Sequence, residues 1–366
     1  MAEKRPLCIY AGSMEELATG DTLPVSQIPV GGIIAATPGS LPAGFEKMDG
    51  RFVSTITYPL LGGLADVVAG QQWEMRDAAS ANTLYSIAWS GGLFVAVGNA
   101  GAILTSPDGI TWTTRTSSTI SLLYGIAWSA SLFVAAGAIG TIRTSPNGVV
   151  WTIRSSGTTN ALLGITWSGS LFVAVGNTGT ILTSPDGITW TTRTSSTTNA
   201  MYGITWSGSL FVAVGNSGTI LTSPDGVTWT QRTSNTSNLI LSVTWSGSQF
   251  VAVGNTGTIL TSPDGITWTA RPSGTTGNIY GITWGAGIFV ASLNSGTILT
   301  SADGIVWTAR VSGAAGFGGW SLLFADDRFW VPGINGSIFS SPVPRADSRY
   351  LSAMSISGVS YYMRCA

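Results

Sequence analysis

The sequence predicts an all-β protein, a seven-bladed β-propeller of four-stranded antiparallel blades inserted in a small second domain. Three observations predict it. First, one motif recurs every 39 residues, with a leading tryptophan at Trp89, Trp128, Trp167, Trp206, Trp245 and Trp284 and a trailing one at Trp112, Trp151, Trp190, Trp229, Trp268 and Trp307. Such a period marks a supersecondary unit that buries its faces only against its neighbours. Second, four short strand candidates fill each period, and no segment of useful length carries a 3.6-residue helical period. Third, Trp73-Glu74-Met75-Arg76 lies 39 residues before Trp112-Thr113-Thr114-Arg115. The array therefore begins with an outer strand and ends with a third strand, which permits ring closure.

The third unit shows the elements in order: LLGITWS (162–168), LFVAVGN (171–177), TILTSP (180–185) and ITWTTR (188–193). In the first, Leu163, Ile165 and Trp167 alternate with Gly164 and Thr166, a strand period of two. Ser-Gly-Ser, Asn-Thr-Gly and Pro-Asp-Gly join the strands; glycine supplies positive φ, and Pro-Asp opens a tight turn. Four antiparallel strands in about 40 residues is a propeller blade. A seventh, degenerate first strand reads WSLLFADDRFWVPG, with Phe324 in the place of the tryptophan after a one-residue insertion. Its blade ends at SIFSSP (337–342), and residues 71–76 supply the missing fourth strand. That pairing removes two exposed sheet edges.

Composition narrows the function. The net charge is −1 and charged residues are 9%, which argues against an electrostatic footprint for nucleic acid or membrane. No apolar run reaches a membrane span, and the N-terminus lacks a secretory h-region. With 15 Trp, the glycine-rich chain is a folded protein and not a low-complexity one. Histidine is absent, which removes the commonest general base and metal ligand. The two cysteines, Cys8 and Cys365, exclude a disulfide framework and read as unpaired thiols.

The stretch TSPDGITWT resembles the Asp-box of sialidases and related propellers, one residue shorter between Asp and Gly. Its copies carry Asp108, Asp186, Asp225, Asp264 and Asp303, with Asn147 in the second unit. The expected role is structural: each side chain caps its own hairpin by accepting backbone N–H bonds. An arginine follows every trailing tryptophan, from Arg76 to Arg310. On an outermost strand these lie far from the channel, and a tryptophan face or backbone carbonyls are the expected partners.

A glycosidase needs two carboxyl groups, or a tyrosine with its glutamate, flanking the bond. Between 70 and 344 there is one glutamate, Glu74, and the pair Asp326-Asp327 occupies a turn between first and second strands. No nucleophile with a base is present. The expectation is a protein that is not an enzyme and has no cofactor and no metal. The copies differ most between one unit's outer strand and the next unit's inner strand, in SSTISLLY (117–124), SGTTNALL (156–163), SSTTNAMY (195–202), SNTSNLIL (234–241), SGTTGNIY (273–280) and SGAAGFGGW (312–320). These crossovers share one face. Thr119, Asn160, Asn199, Asn238, Asn278, Phe317 and Trp320 are its candidate binding residues, suited to a polar partner; solvent-driven drift is the competing reading. Trp73 and Arg76 mark the ring-closing strand.

Residues 27–66 do not match the repeat. Pro29-Val30-Gly31, Ile33-Ile34, Pro42-Ala43-Gly44-Phe45, Asp49-Gly50 and Tyr58-Pro59-Leu60-Leu61 follow one another in an order and spacing that resembles the bacteriophage tail-collar domain. Phe45 stands where that family more often has Trp, and Met48 where Cys is frequent. Residues 6–23 and the closing SISGVSYYMRCA (355–366) also resemble segments of phage tail-fibre proteins. The resemblance implies this organisation: 1–26, an N-terminal virion-attachment or oligomerisation segment; 27–69, the first part of a collar-like domain; 70–344, the propeller; 345–366, a C-terminal collar-like strand. Insertion is easy where a closed ring brings its ends together. The resemblance further implies a homotrimeric tail-fibre or tail-tip protein in the virion, bound to other tail or baseplate proteins. Its propeller would bind a host surface receptor, protein or glycan, without membrane insertion or nucleic-acid binding. The alternatives are a baseplate or tail decoration protein without receptor contact, and a polysaccharide depolymerase.

Overall fold

The computed structural model describes residues 73–78, 80–293, 296–311 and 320–341, and the backbone of strands at 7–10, 13–16, 33–36, 45–47 and 360–364. The chain divides into two compact units, residues 69–342 and residues 1–68 with 343–366.

The larger unit is a seven-bladed propeller: its described residues form seven four-stranded antiparallel sheets. Blade 1 contains Leu84–Trp89, Phe94–Gly98, Ile103–Ser106 and Thr113–Arg115. Blades 2 to 6 open with inner strands at Leu123, Leu162, Met201, Ile240 and Ile279. Blade 7 joins Leu323–Ala325, Arg328–Pro332 and Ser337–Ser340 to Glu74–Asp77, with Ile338 opposite Arg76 and Phe339 opposite Met75. The fourth strand of the last blade thus comes from the start of the array. Trp73 stands just before that strand and packs beside Phe329, Val331 and Phe339.

The second strands do not alternate. Phe172–Gly176 is buried throughout, as are its counterparts in blades 1, 2, 4 and 5. Each middle strand lies between two neighbouring sheets, so both faces are dry and the strand reads as a continuous apolar run. Its phenylalanine meets the leading tryptophan of the same blade, with ring centroids 4.0 to 4.4 Å apart in blades 1 to 6. Such a pair adds about 0.5–1.5 kcal/mol beyond burial. In blade 7 Phe324 takes the tryptophan's place against Phe329, at 4.8 Å.

Each Asp-box hairpin closes on itself. The Asp225 carboxylate Oδ1 accepts from the Val227 and Thr228 N–H groups at 2.8 and 2.9 Å and from the Ser223 hydroxyl at 2.9 Å. The Trp229 indole N–H donates to the Gly226 carbonyl at 3.0 Å. Asp326 and Asp327 both have positive φ, 48° and 55°, in the two-residue turn between paired strands, as a type I′ hairpin requires.

The smaller unit holds a five-stranded sheet in the order Ser13–Glu16, Leu7–Tyr10, Ile33–Ala36, Ser360–Arg364, Phe45–Lys47. The C-terminal strand therefore lies between two strands from the N-terminal part, with Ile34 opposite Tyr362 and Glu46 opposite Met363.

Candidate functional site

Strand order gives the disc two unlike faces. One carries the first-to-second turns and the Asp-box turns; Gln249 Nε2 joins the two kinds by donating to the Asp303 carbonyl at 2.9 Å. The other carries the second-to-third turns and the crossovers, the segment where the copies differ. On this crossover face the turn Asn177–Gly179 places Thr178 and Gly179 at φ 56° and 67°. A side chain on Gly179 would overlap the Thr197 carbonyl of the following crossover, so only glycine permits that approach. Ser195 folds the crossover back by donating to the Thr197 carbonyl at 3.0 Å. Asn238 links two blades: its carbonyl accepts from Gly218 N–H of blade 4, and its amide donates to Thr258 of blade 5 at 2.9 Å.

The centre of this face is aromatic. Tyr85, Tyr124, Leu163, Tyr202, Leu241 and Tyr280 occupy one position of successive inner strands, and Trp320 occupies it ahead of the seventh. Tyr280 meets Trp320 edge-to-face at 5.0 Å, Trp320 meets Tyr85 at 5.8 Å, and Tyr85 meets Tyr124 at 5.5 Å. These four rings form an arc across blades 6, 7, 1 and 2. Trp320 is 48% exposed and the tyrosines are half-buried. Burial, and then the neighbouring Tyr124, raises the Tyr85 phenol above its usual pKa.

Charge is segregated between the faces. The outer strands reach the crossover face at Arg115, Arg154, Arg193, Arg232, Arg271 and Arg310, and the Asp-box aspartates precede those strands on the other face. Five of these arginines take a side-chain hydroxyl as partner, where a tryptophan face or backbone carbonyls were expected. Arg115, Arg154, Arg193, Arg232 and Arg271 each donate from Nε to the threonine hydroxyl of the adjacent third strand at 2.8 to 2.9 Å. Arg76 instead pairs with Glu74, which also lies 3.5 Å from Arg328. At blade 3, between the crossovers that precede and follow it, a depression of about 810 Å³ is lined by Asn160, Thr180, Arg193, Ser195, Thr197 and Asn199 among others. Its counterpart at blade 4, about 700 Å³, includes Arg232.

The candidate residues divide. Asn160 and Asn199 line the first depression, and their amides, like that of Asn238, are engaged inside the chain. They donate to Thr180 and Thr219 at 2.8 Å. Asn278 Oδ1 accepts from Thr256 N–H at 3.0 Å. Thr119 accepts from Ser121 N–H at 3.0 Å. Trp320 is brought into the aromatic arc, and Phe317 lies outside the described residues. Sequence reasoning passed over the tyrosines, and it noted the arginines but not that they gather on the crossover face. The signal for the first was their shared 39-residue register. For the second it was the short span between an Asp-box aspartate and its arginine, which is one strand crossing the disc. Among the described residues no group of three or more His, Cys, Asp or Glu could hold a metal.

No protein-family model and no curated protein matches the sequence. Solved structures do match in shape. YCF48 bound to D1 peptide superposes with a TM-score of 0.63 at 17% identity, over 78% of this chain and 97% of that one. YCF48 from Cyanidioschyzon merolae gives 0.62 at 17% identity, over 74% and 98%. The WD40 propeller domain of Doa1 gives 0.60 at 11% identity, over 75% and 99%. At these identities the likeness is one of fold.

Proposed function

We propose that this chain is a bacteriophage tail-fibre or tail-tip protein that attaches the virion to its host through the crossover face of the propeller. The collar-like motifs from Pro29 to Leu61 supply the setting. The single observation that carries the binding role is the aromatic arc Tyr280–Trp320–Tyr85–Tyr124 at the centre of a face rich in hydroxyls and amides. Aromatic anchors surrounded by adaptable polar groups are what a binding surface uses. The action is adhesion without chemistry: a homotrimer of such discs adds weak contacts through effective concentration.

Binding of the full-length protein to host-cell envelopes tests the reading. Wild type is expected to bind, and Trp320→Ala with Tyr280→Ala to bind at least about tenfold more weakly, the loss of a hot spot. Full-length protein that binds no host-surface fraction, together with labelling of the propeller only inside intact particles, would overturn it.

A further inference from the structure

We propose that the outer grooves of the crossover face bind an acidic polysaccharide, with Arg115, Arg154, Arg193, Arg232 and Arg271 gripping its carboxylate or phosphate groups. This rests on the host-attachment reading and adds the ligand's chemical class and a second set of contacts outside the aromatic centre.

Four observations converge. Each of these guanidinium groups is half-buried and held at Nε by a threonine hydroxyl at 2.8 to 2.9 Å. Among the described residues their terminal nitrogens have no partner. A fixed guanidinium with its end-on pair of donors free is pre-organised for a planar carboxylate or a phosphate. Second, the crossovers from 117 to 124, 156 to 163, 195 to 202, 234 to 241 and 273 to 280 contain no charged residue, so no carboxylate there competes. Third, the depressions beside Arg193 and Arg232, about 810 and 700 Å³, are large enough for an oligosaccharide segment. Their exposed threonine and serine hydroxyls offer the hydrogen bonds that sugar hydroxyls need. Fourth, one guanidinium per blade is a sparse array. Packed sheets stand about 10 Å apart and the blades fan outward from there to the outermost strands, whereas duplex DNA presents a charge about every 1.7 Å. A polymer with one acid per few sugars fits that spacing better than a nucleic acid does.

The test uses the full-length protein and four immobilised polymers: polygalacturonate, a poly(glycerol phosphate), neutral dextran and duplex DNA. Retention is expected on at least one acidic glycan and not on dextran, with loss at high salt. Arg193→Gln with Arg232→Gln should weaken retention about tenfold, and the lysine pair should restore part of it. Thr198→Glu, an exposed change at the wall of the first groove, should weaken it as well and keeps the test valid if an arginine variant misfolds. Equal binding to dextran, stronger binding to DNA, retention on neither acidic glycan, or indifference to these substitutions would overturn the proposal. Host attachment that depends on Trp320 but not on the arginines removes this inference alone. Arginine-dependent glycan binding without host attachment removes the attachment reading alone.

Discussion

Trp330 of the last blade packs against Phe94 of the first, with ring centroids 4.5 Å apart. It is fully buried, and its indole N–H donates to the Ala325 carbonyl at 2.9 Å. At a regular seam the space over the Asp-box glycine is filled by a leucine and a valine of the preceding blade, as Leu132 and Val134 cover Gly187. At the closing seam Arg328 stands at the leucine position, and the Trp330 indole lies against Gly109. Trp330→Ala is therefore expected to destabilise the fold by about 3–5 kcal/mol. Trp330→Val should fall between, and adding Arg328→Leu should recover part of the loss by rebuilding a regular seam. Denaturant midpoints measure all three; a Trp330→Ala loss below about 1 kcal/mol would show that the seam does not depend on this indole.

Gly218 and Gly208 both have positive φ, 68° and 97°, but only Gly218 is crowded. Its N–H donates to the Asn238 carbonyl, and a side chain there would overlap the Thr236 carbonyl, whereas Gly208 has open space around it. Gly208→Ala should cost about 1–2 kcal/mol of backbone strain. Gly218→Ala should cost clearly more, because the crossover must lift off the turn. Equal costs, by chemical denaturation, would mean that backbone angle alone governs both sites.

Ile139 is a β-branched residue at φ 55°, and it is 70% exposed. In blade 7 the same turn position holds Asn335 at φ 51°. Asparagine tolerates this left-handed conformation, and isoleucine gains no burial to offset its strain. Ile139→Asn is expected to raise stability by about 1 kcal/mol, seen as a higher thermal midpoint; a lower midpoint would mean that Ile139 makes a contact worth more than its strain.

The period from Trp89 to Trp284, and the outer strand at Trp73 one period before Trp112, are local patterns that carry blade count and closure directly. The crossover face was harder to read. Asn160 and Thr180 are 20 residues apart, and nothing local shows that the amide is already engaged with that hydroxyl. Leu163 and Leu241 interrupt the tyrosine register, so the arc looks like ordinary alternation until the ring is closed. Asp225 and Arg232 look like neighbours, yet one three-residue strand, Thr230–Arg232, carries the chain between faces. A net charge near zero concealed that segregation.

The Asp-box carboxylates should govern stability in acid. For Asp225, the Thr228 N–H and then the Val227 N–H, with the Ser223 hydroxyl, hold the pKa below its usual value against a smaller opposing effect of burial. Asp108, Asp186, Asp264 and Asp303 shift in the same direction. A carboxylate whose folded pKa is depressed contributes stability that is complete above the unfolded value, about 3.9, and is lost as pH falls through the folded value. The thermal midpoint should therefore hold from pH 7 to about 5 and fall below about 4. Asn147 shows that an amide preserves the turn: its Oδ1 accepts from Val149 and Val150 N–H at 3.0 and 3.1 Å. Replacing all five aspartates by asparagine should thus keep the fold, cost under about 1 kcal/mol per box at neutral pH, and flatten the acid limb. An unchanged acid limb in that variant would show that the Asp-box carboxylates do not set it.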